Sequence, residues 1–167
     1  MQHPVLVGEY DLTVDPKNRL LIPAEIRNAI PPEFGESLFM TIGRNKVPWF
    51  WTEKYYEYLA SKIPSGMTPG EDQLAYDHLN FAMAAKIAWD KQGRIVMPDK
   101  MLKRASIGKQ VTLIGARNHL ELWNTAAWEA RREDVDRRAS DIDRQGGTPP
   151  SVGIPLSVSI SPGLGTG

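Results

Sequence analysis

Two nine-residue stretches, DPKNRLLIP (residues 15–23) and DKQGRIVMP (residues 90–98), say nearly the same thing, and this repetition limits the available folds more than any other feature. Each reads as Asp, a turn, Arg, a short apolar run and Pro. An offset of 75 residues places Asp15 on Asp90, Arg19 on Arg94 and Pro23 on Pro98. An offset of 72 then carries TIGRNKVPWFW onto LIGARNHLELW, Trp51 onto Trp123 and Tyr56 onto Trp128. One three-residue insertion within PPEFGES of the first copy accounts for the change. The chain is a tandem repeat of one supersecondary unit, which must bury its apolar face against its twin.

Both copies spell the same order of elements. GEYDLTV and AMAAKIAW are first strands, the former alternating Tyr10, Leu12 and Val14. DPKN and DKQG are turn chemistry: Asp bonds its own backbone, Pro fixes φ, and Asn or Gly tolerates positive φ. RLLIP and RIVMP are second strands stopped by Pro. AEIRNAI and DKMLKRASI are short helices with Pro just inside the start. SLFMTIG and QVTLIG are third strands, VPWFW and HLELW fourth strands, with turns at NK and RN. Closing helices follow at TEKYYEYLASKI and NTAAWEARREDVDRR, with Thr52 and Asn124 as N-caps.

Four short strands and a small helix cannot cover both faces of a sheet. Two such units interleaved into one barrel-like core can, so the expected class is α+β, mainly β. Between the copies, PSGMTPGEDQ (64–73) is turn-rich and LAYDHLNFAMAAK is helical. From Gly146 the chain is rich in Gly, Pro and Ser and carries no charge, which reads as a flexible tail.

The composition excludes several functions. There is no Cys, hence no disulfide and no thiolate metal site. No apolar run approaches the roughly 20 residues that span a bilayer, so no membrane partner is expected and the reading is cytoplasmic. His3, His78 and His119 stand apart without partners at ligand spacing, and no Gly-rich strand-to-helix loop cradles phosphate. Asp15 and Asp90 each have their own Arg, which keeps both ionised rather than making a general acid–base pair. The residues therefore offer no enzyme.

Formal net charge is zero, but it is unevenly distributed. Residues 86–132 hold 10 basic and 4 acidic side chains, a local excess around the second copy of the motif. A local polyanion site is compatible with that excess. In each loop the acid and the Arg lie across the base of a tight turn, within reach of a charge-assisted hydrogen bond. One reading is that Asp15 and Asp90 orient Arg19 and Arg94 toward phosphate or a guanine edge, while Lys17 and Lys91 meet phosphates as point charges. The plainer reading is that each pair only pins its hairpin. The charge distribution favours the second loop, so Arg94→Ala is expected to weaken binding more than Arg19→Ala.

Other residues have plain readings. Trp51, Trp123 and Trp128 recur at matched places and are expected in the core, with Trp49 assigned to the opposite face of its strand. EARREDVDRR (129–138) is a solvated helix face. Lys100, Lys103 and Arg104 either flank a nucleic-acid site or are merely exposed. The aromatic helix EKYYEYLASKI is a candidate self-association surface.

The doubled Asp-x-x-x-Arg loop, each copy followed by an apolar strand and Pro, resembles the MraZ family, as does GARNHLELWNTAAWE in the second half. The resemblance covers roughly residues 5–135. The chain departs from the family pattern at Asn18, where the first loop usually has Gly, in its opening MQHPVLV, and in its long tail.

The resemblance implies two tandem SpoVT-AbrB-like halves, at 8–55 and 83–127, forming a swapped-hairpin AbrB-like barrel. A helical linker (56–82) would join them, followed by a helix (128–145) and the tail (146–167). It implies a transcriptional regulator of the division and cell-wall gene cluster, without cofactor. Such a regulator binds double-stranded DNA at short promoter direct repeats through Asp15, Lys17, Arg19, Asp90, Lys91 and Arg94. It would act as a homo-oligomeric ring, cytoplasmic and associated with the nucleoid. The competing readings are another AbrB-like regulator of antitoxin type and a non-catalytic assembly module.

Overall fold

Each repeat contributes four strands, and the strands find partners largely in the other repeat. The computed structural model describes residues 2–144; the tail expected over 146–167 and the last residue of the helix expected over 128–145 lie outside the described residues. The first repeat supplies β1 (Glu9–Thr13), β2 (Arg19–Leu21), helix α1 (Ala24–Ala29), β3 (Ser37–Ile42), β4 (Pro48–Thr52) and helix α2 (Glu53–Ser61). Helix α3 (Glu71–Asp77), extended by a wider turn over His78–Ala82, leads into the second. There follow β5 (Ala85–Ala88), β6 (Arg94–Val96), α4 (Asp99–Arg104), β7 (Gln110–Gly115), β8 (Leu120–Asn124) and α5 (Thr125–Arg144).

All pairings are antiparallel. Six strands form one sheet in the order β1-β7-β8-β4-β3-β5, and β2 and β6 form a separate ribbon. Strand β1 of the first repeat lies on β7 of the second, Glu9 opposite Ile114 and Thr13 opposite Gln110. Strand β3 pairs with β5 in the reverse exchange, Leu38 opposite Ile87. The barrel-like core expected from the sequence is therefore not a closed barrel. β2 and β6, three residues each, pair with one another instead of bridging β1 to β5, and the larger sheet stays open at those two edges.

One apolar cluster unites ribbon, sheet and helices. Leu20 and Ile95 face inward from the ribbon, joined by Ile22 and Met97 just beyond it, all essentially inaccessible to water. They meet Leu38, Met40 and Phe50 of one repeat and Leu113, Leu120 and Leu122 of the other, with Ile26 and Met101 from the short helices. Removing this apolar surface from water is the main stabilising term, and neither repeat holds enough of it alone.

The residues divide into a unit ending at Arg131 and a second beginning at Arg132. The described part of the second is the C-terminal stretch of α5, where Asp134 meets Arg138 at 3.0 Å and Arg137 at 3.7 Å.

Several sequence expectations need correction. Residues two apart in a strand share a face, so Trp49 and Trp51 lie together, ring centroids 5.9 Å apart, on the side opposite buried Phe50. Trp51, Trp123 and Trp128 are half-buried against polar partners rather than in the core. His119 packs against Trp49 and Trp51 and bonds Glu121 at 3.0 Å, and Trp123 donates to the same carboxylate at 2.8 Å. Burial pushes the Glu121 carboxyl up, but these two bonds outweigh it and hold it below the usual range. Trp128 donates to Glu9 across the repeats. Thr52 stands at the start of α2, yet its hydroxyl bonds His3 at 2.9 Å instead of capping the helix. The Asn124 side chain bonds Gly108 N–H and Ser106 C=O. Pro23 and Pro98 occupy the cap positions themselves rather than the first helical turn.

Candidate functional site

The two Asp–Arg loops have nearly the same geometry, and it follows from their residue types. Asp15 Oδ1 accepts the backbone N–H of Lys17 at 2.9 Å and of Arg19 at 2.8 Å; Asp90 Oδ1 accepts those of Gln92 at 2.9 Å and Arg94 at 3.0 Å. Asn18 N–H closes the first turn onto Asp15 C=O at 3.0 Å, and Gly93 N–H closes the second onto Asp90 C=O at 2.9 Å. The closing residue is left-handed in both loops, with φ of 60° at Asn18 and 81° at Gly93. Gly adopts that region freely and Asn is among the few other residues that visit it readily, so the departure at Asn18 leaves the loop shape intact.

The second carboxylate oxygen turns to the arginine. Arg19 Nε donates to Asp15 Oδ2, and Arg94 Nε to Asp90 Oδ2 at 2.9 Å. Burial raises the Asp15 carboxyl, but bonds from the Arg19 backbone and side chain and the Lys17 backbone outweigh it, leaving it below the usual carboxylate range. At Asp90 the Arg94 backbone bond leads, and its carboxyl is likewise lowered. Both acids are ionised at neutral pH. Each guanidinium is held by Nε alone, and among the described residues its terminal nitrogens have no protein partner. A planar fork so held can meet a phosphate or the acceptor edge of guanine.

The ribbon brings the loops together. Arg19 lies opposite Val96 and Arg94 opposite Leu21, with Leu20 opposite Ile95 between them. By strand alternation Arg19, Leu21, Arg94 and Val96 share one face while Leu20 and Ile95 point into the core. That face is open: Leu21 is 52% and Val96 58% exposed, and the Asp and Arg side chains range from 31% to 43%. The loops leave the ribbon at opposite ends. Each is tied down by the other repeat, since Ile22 N–H donates to Gly93 C=O and Met97 N–H to Asn18 C=O, both at 2.9 Å. Asp15, Arg19, Asp90 and Arg94 thus belong to one surface, and Lys17 and Lys91 are exposed in the loop turns.

Sequence reasoning missed that the helix after each second strand flanks the opposite loop. Asn18 Nδ2 reaches Asp99 of α4 at 3.5 Å, while Arg27 of α1 lies against Gly93 and donates its Nε to Ile22 C=O at 3.0 Å. A groove of about 380 Å³ runs between the first loop and α4, lined by Asp15, Asn18, Asp99, Lys103, Ser106 and Lys109 among others. The sequence marks where each second strand stops, at Pro23 and Pro98, but which loop the following helix flanks follows from the pairing of β2 with β6.

Comparison with known proteins gives a consistent result. Residues 80–145 match the family model described as "MraZ protein, putative antitoxin-like". A protein of Clostridium tetani named transcriptional regulator MraZ is 32% identical over 125 residues, covering 75% of this chain and 85% of that protein. Its namesake in Mycoplasma mobile is 33% identical over 124 residues, covering 74% and 82%. A third, from Ligilactobacillus salivarius, is 28% identical over 138 residues, covering 83% and 94%.

Proposed function

The chain belongs to the MraZ family, and from that premise we propose that it regulates transcription by binding double-stranded DNA through the exposed face of the β2–β6 ribbon and its two loops. The observation that carries this reading is the antiparallel pairing of β2 with β6, which puts two Asp-held arginines and two lysine-bearing turns on one surface. A hairpin staple alone would need neither the shared face nor unpartnered guanidinium nitrogens. In this reading Arg19 and Arg94 read base edges or clamp phosphate, and Lys17 and Lys91 fix position on the backbone.

One protomer offers few cations, so useful affinity requires repetition. A homo-oligomeric ring would set many ribbons along DNA and turn each further contact into a linked event of high effective concentration. Short direct repeats upstream of the division and cell-wall gene cluster suit such a ring, which would work on the nucleoid. The halves at 8–55 and 83–127 are then two copies of an AbrB-like unit joined by the segment 56–82. The exchange of β1 and of β2 with strands of the other copy supports kinship with swapped hairpins.

The test is nuclease footprinting of the full chain on DNA from just upstream of its own coding sequence, with particle mass measured in parallel by light scattering. Protection at regularly spaced repeats by a multimeric particle is expected. A multimer that leaves every site equally open to cleavage would favour a pure assembly role.

A further inference from the structure

The two loops match in backbone but differ in their surroundings, because the fold exchanges neighbours between the repeats. Counted along the sequence, the basic excess lies around Asp90–Arg94. In space two of its members, Lys103 and Lys109, line the groove beside Asp15–Arg19. The residue before each loop shows the exchange most simply: Val14 N–H donates to the backbone oxygen of Lys109, and Trp89 N–H donates in the same way to that of Glu36. A lysine thus stands beside the first loop where a glutamate stands beside the second. Both side chains are exposed.

The flanking helices repeat the contrast. Helix α4, beside the first loop, carries Lys100 and Lys103; at the 75-residue offset their counterparts on α1, beside the second, are Glu25 and Asn28. The acids near the first loop are already engaged. Asp15 holds Arg19, and Asp99 holds Lys103 at 2.8 Å while accepting from Asn18. Among the described residues the Lys109 ammonium has no partner. Helix α1 carries one cation, Arg27, whose Nε donates to Ile22 C=O, against Lys100, Lys103 and Arg104 on α4.

We propose that Lys103 and Lys109, on the wall of the groove beside the first loop, contact the DNA phosphate backbone and make the Asp15–Arg19 loop the stronger arm of the interface, reversing the order that the charge distribution along the sequence suggests. This rests on the DNA-binding reading of the ribbon. A phosphate seated at the groove would meet Lys109 directly and share Lys103 with Asp99. The contacts position without reading sequence, so they act equally on any duplex. At the second loop the carboxylate of Glu36 repels the same backbone, while Glu25 of α1 accepts the Tyr10 hydroxyl at 2.8 Å.

The experiment is fluorescence anisotropy of the full chain across a salt series, with the duplex from upstream of its own coding sequence and a scrambled duplex. Lys103→Gln/Lys109→Gln should flatten the dependence of log affinity on log salt by about 2, roughly one per lost phosphate contact, on both duplexes. Arg19→Ala should lose more affinity than Arg94→Ala. Glu36→Lys should tighten binding and steepen the slope by about 1, a gain that misfolding cannot mimic. An unchanged slope in the double lysine variant, with no gain from Glu36→Lys and with the wild type still binding, overturns the inference and leaves the DNA reading standing. No salt-sensitive binding by the wild type to either duplex removes the DNA reading itself.

Discussion

At the residue scale, the loops depend on one left-handed position and one carboxylate each. Asn18 at φ 60° should accept Gly with little change, whereas Asn18→Ala should cost about 1 kcal/mol, because Ala lacks the polar side chain whose local hydrogen bonding lets Asn occupy that region. Gly93→Ala should cost more, because its Cβ would also come within 2.4 Å of Arg27 Nε. Thermal unfolding of the three variants checks this order. The carboxylates make a pH prediction with a definite sign. Asp15 and Asp90 have folded-state values below their ordinary 3.8, so their stabilising contribution is complete above that value and is lost as pH falls below it through the folded values. Denaturant midpoints from pH 6 down to pH 2 should therefore fall more steeply for the wild type than for Asp15→Asn/Asp90→Asn. Equal slopes would mean the acids do no more than the amides that replace them. The Asx turns were legible in the sequence because Asp, Pro, Asn and Gly impose local geometry. That Trp49 shares a face with Trp51 was equally legible, from a strand's period of two; that this face is not the core depends on distant partners.

At the element scale, each strand could be located from its own residues, but its partner could not. RLLIP and RIVMP announce two short strands ending at Pro; nothing local says that they pair with each other and leave the six-stranded sheet open. That arrangement arises from inward Leu20, Ile22, Ile95 and Met97 packing into the apolar cluster, and it replaces the expected barrel with a sheet and a ribbon. Leu20→Ala or Ile95→Ala should each destabilise the protein by about 2–5 kcal/mol, since both side chains are fully buried. Chemical denaturation measures this, and a loss under about 1 kcal/mol would mean the ribbon is not anchored as described. Helix ends show the same limit of local reading. Thr52 and Asn124 have the right chemistry for caps, yet their side chains bond His3, and Gly108 with Ser106, because tertiary neighbours offered those partners.

At the scale of the whole molecule, exchange between repeats converts two weak motifs into one surface. A single Asp–Arg hairpin explains itself as a staple; the proposal of DNA binding rests on finding two on one open face, each with terminal guanidinium nitrogens unpartnered among the described residues. Zero net charge argues against indiscriminate binding and is compatible with a narrow basic face. Charge counted along the sequence and charge in space differ, because Lys103 and Lys109 belong to the second repeat by number and line the groove beside the first loop.

The most direct measurement compares the wild type with Arg19→Ala/Arg94→Ala, by anisotropy on the upstream and scrambled duplexes, with particle mass checked for both. The account predicts tight, salt-sensitive binding by the wild type and its loss in a double variant of unchanged mass and stability. Binding undiminished in the double variant would contradict it, because the ribbon face would then not be where the chain meets DNA.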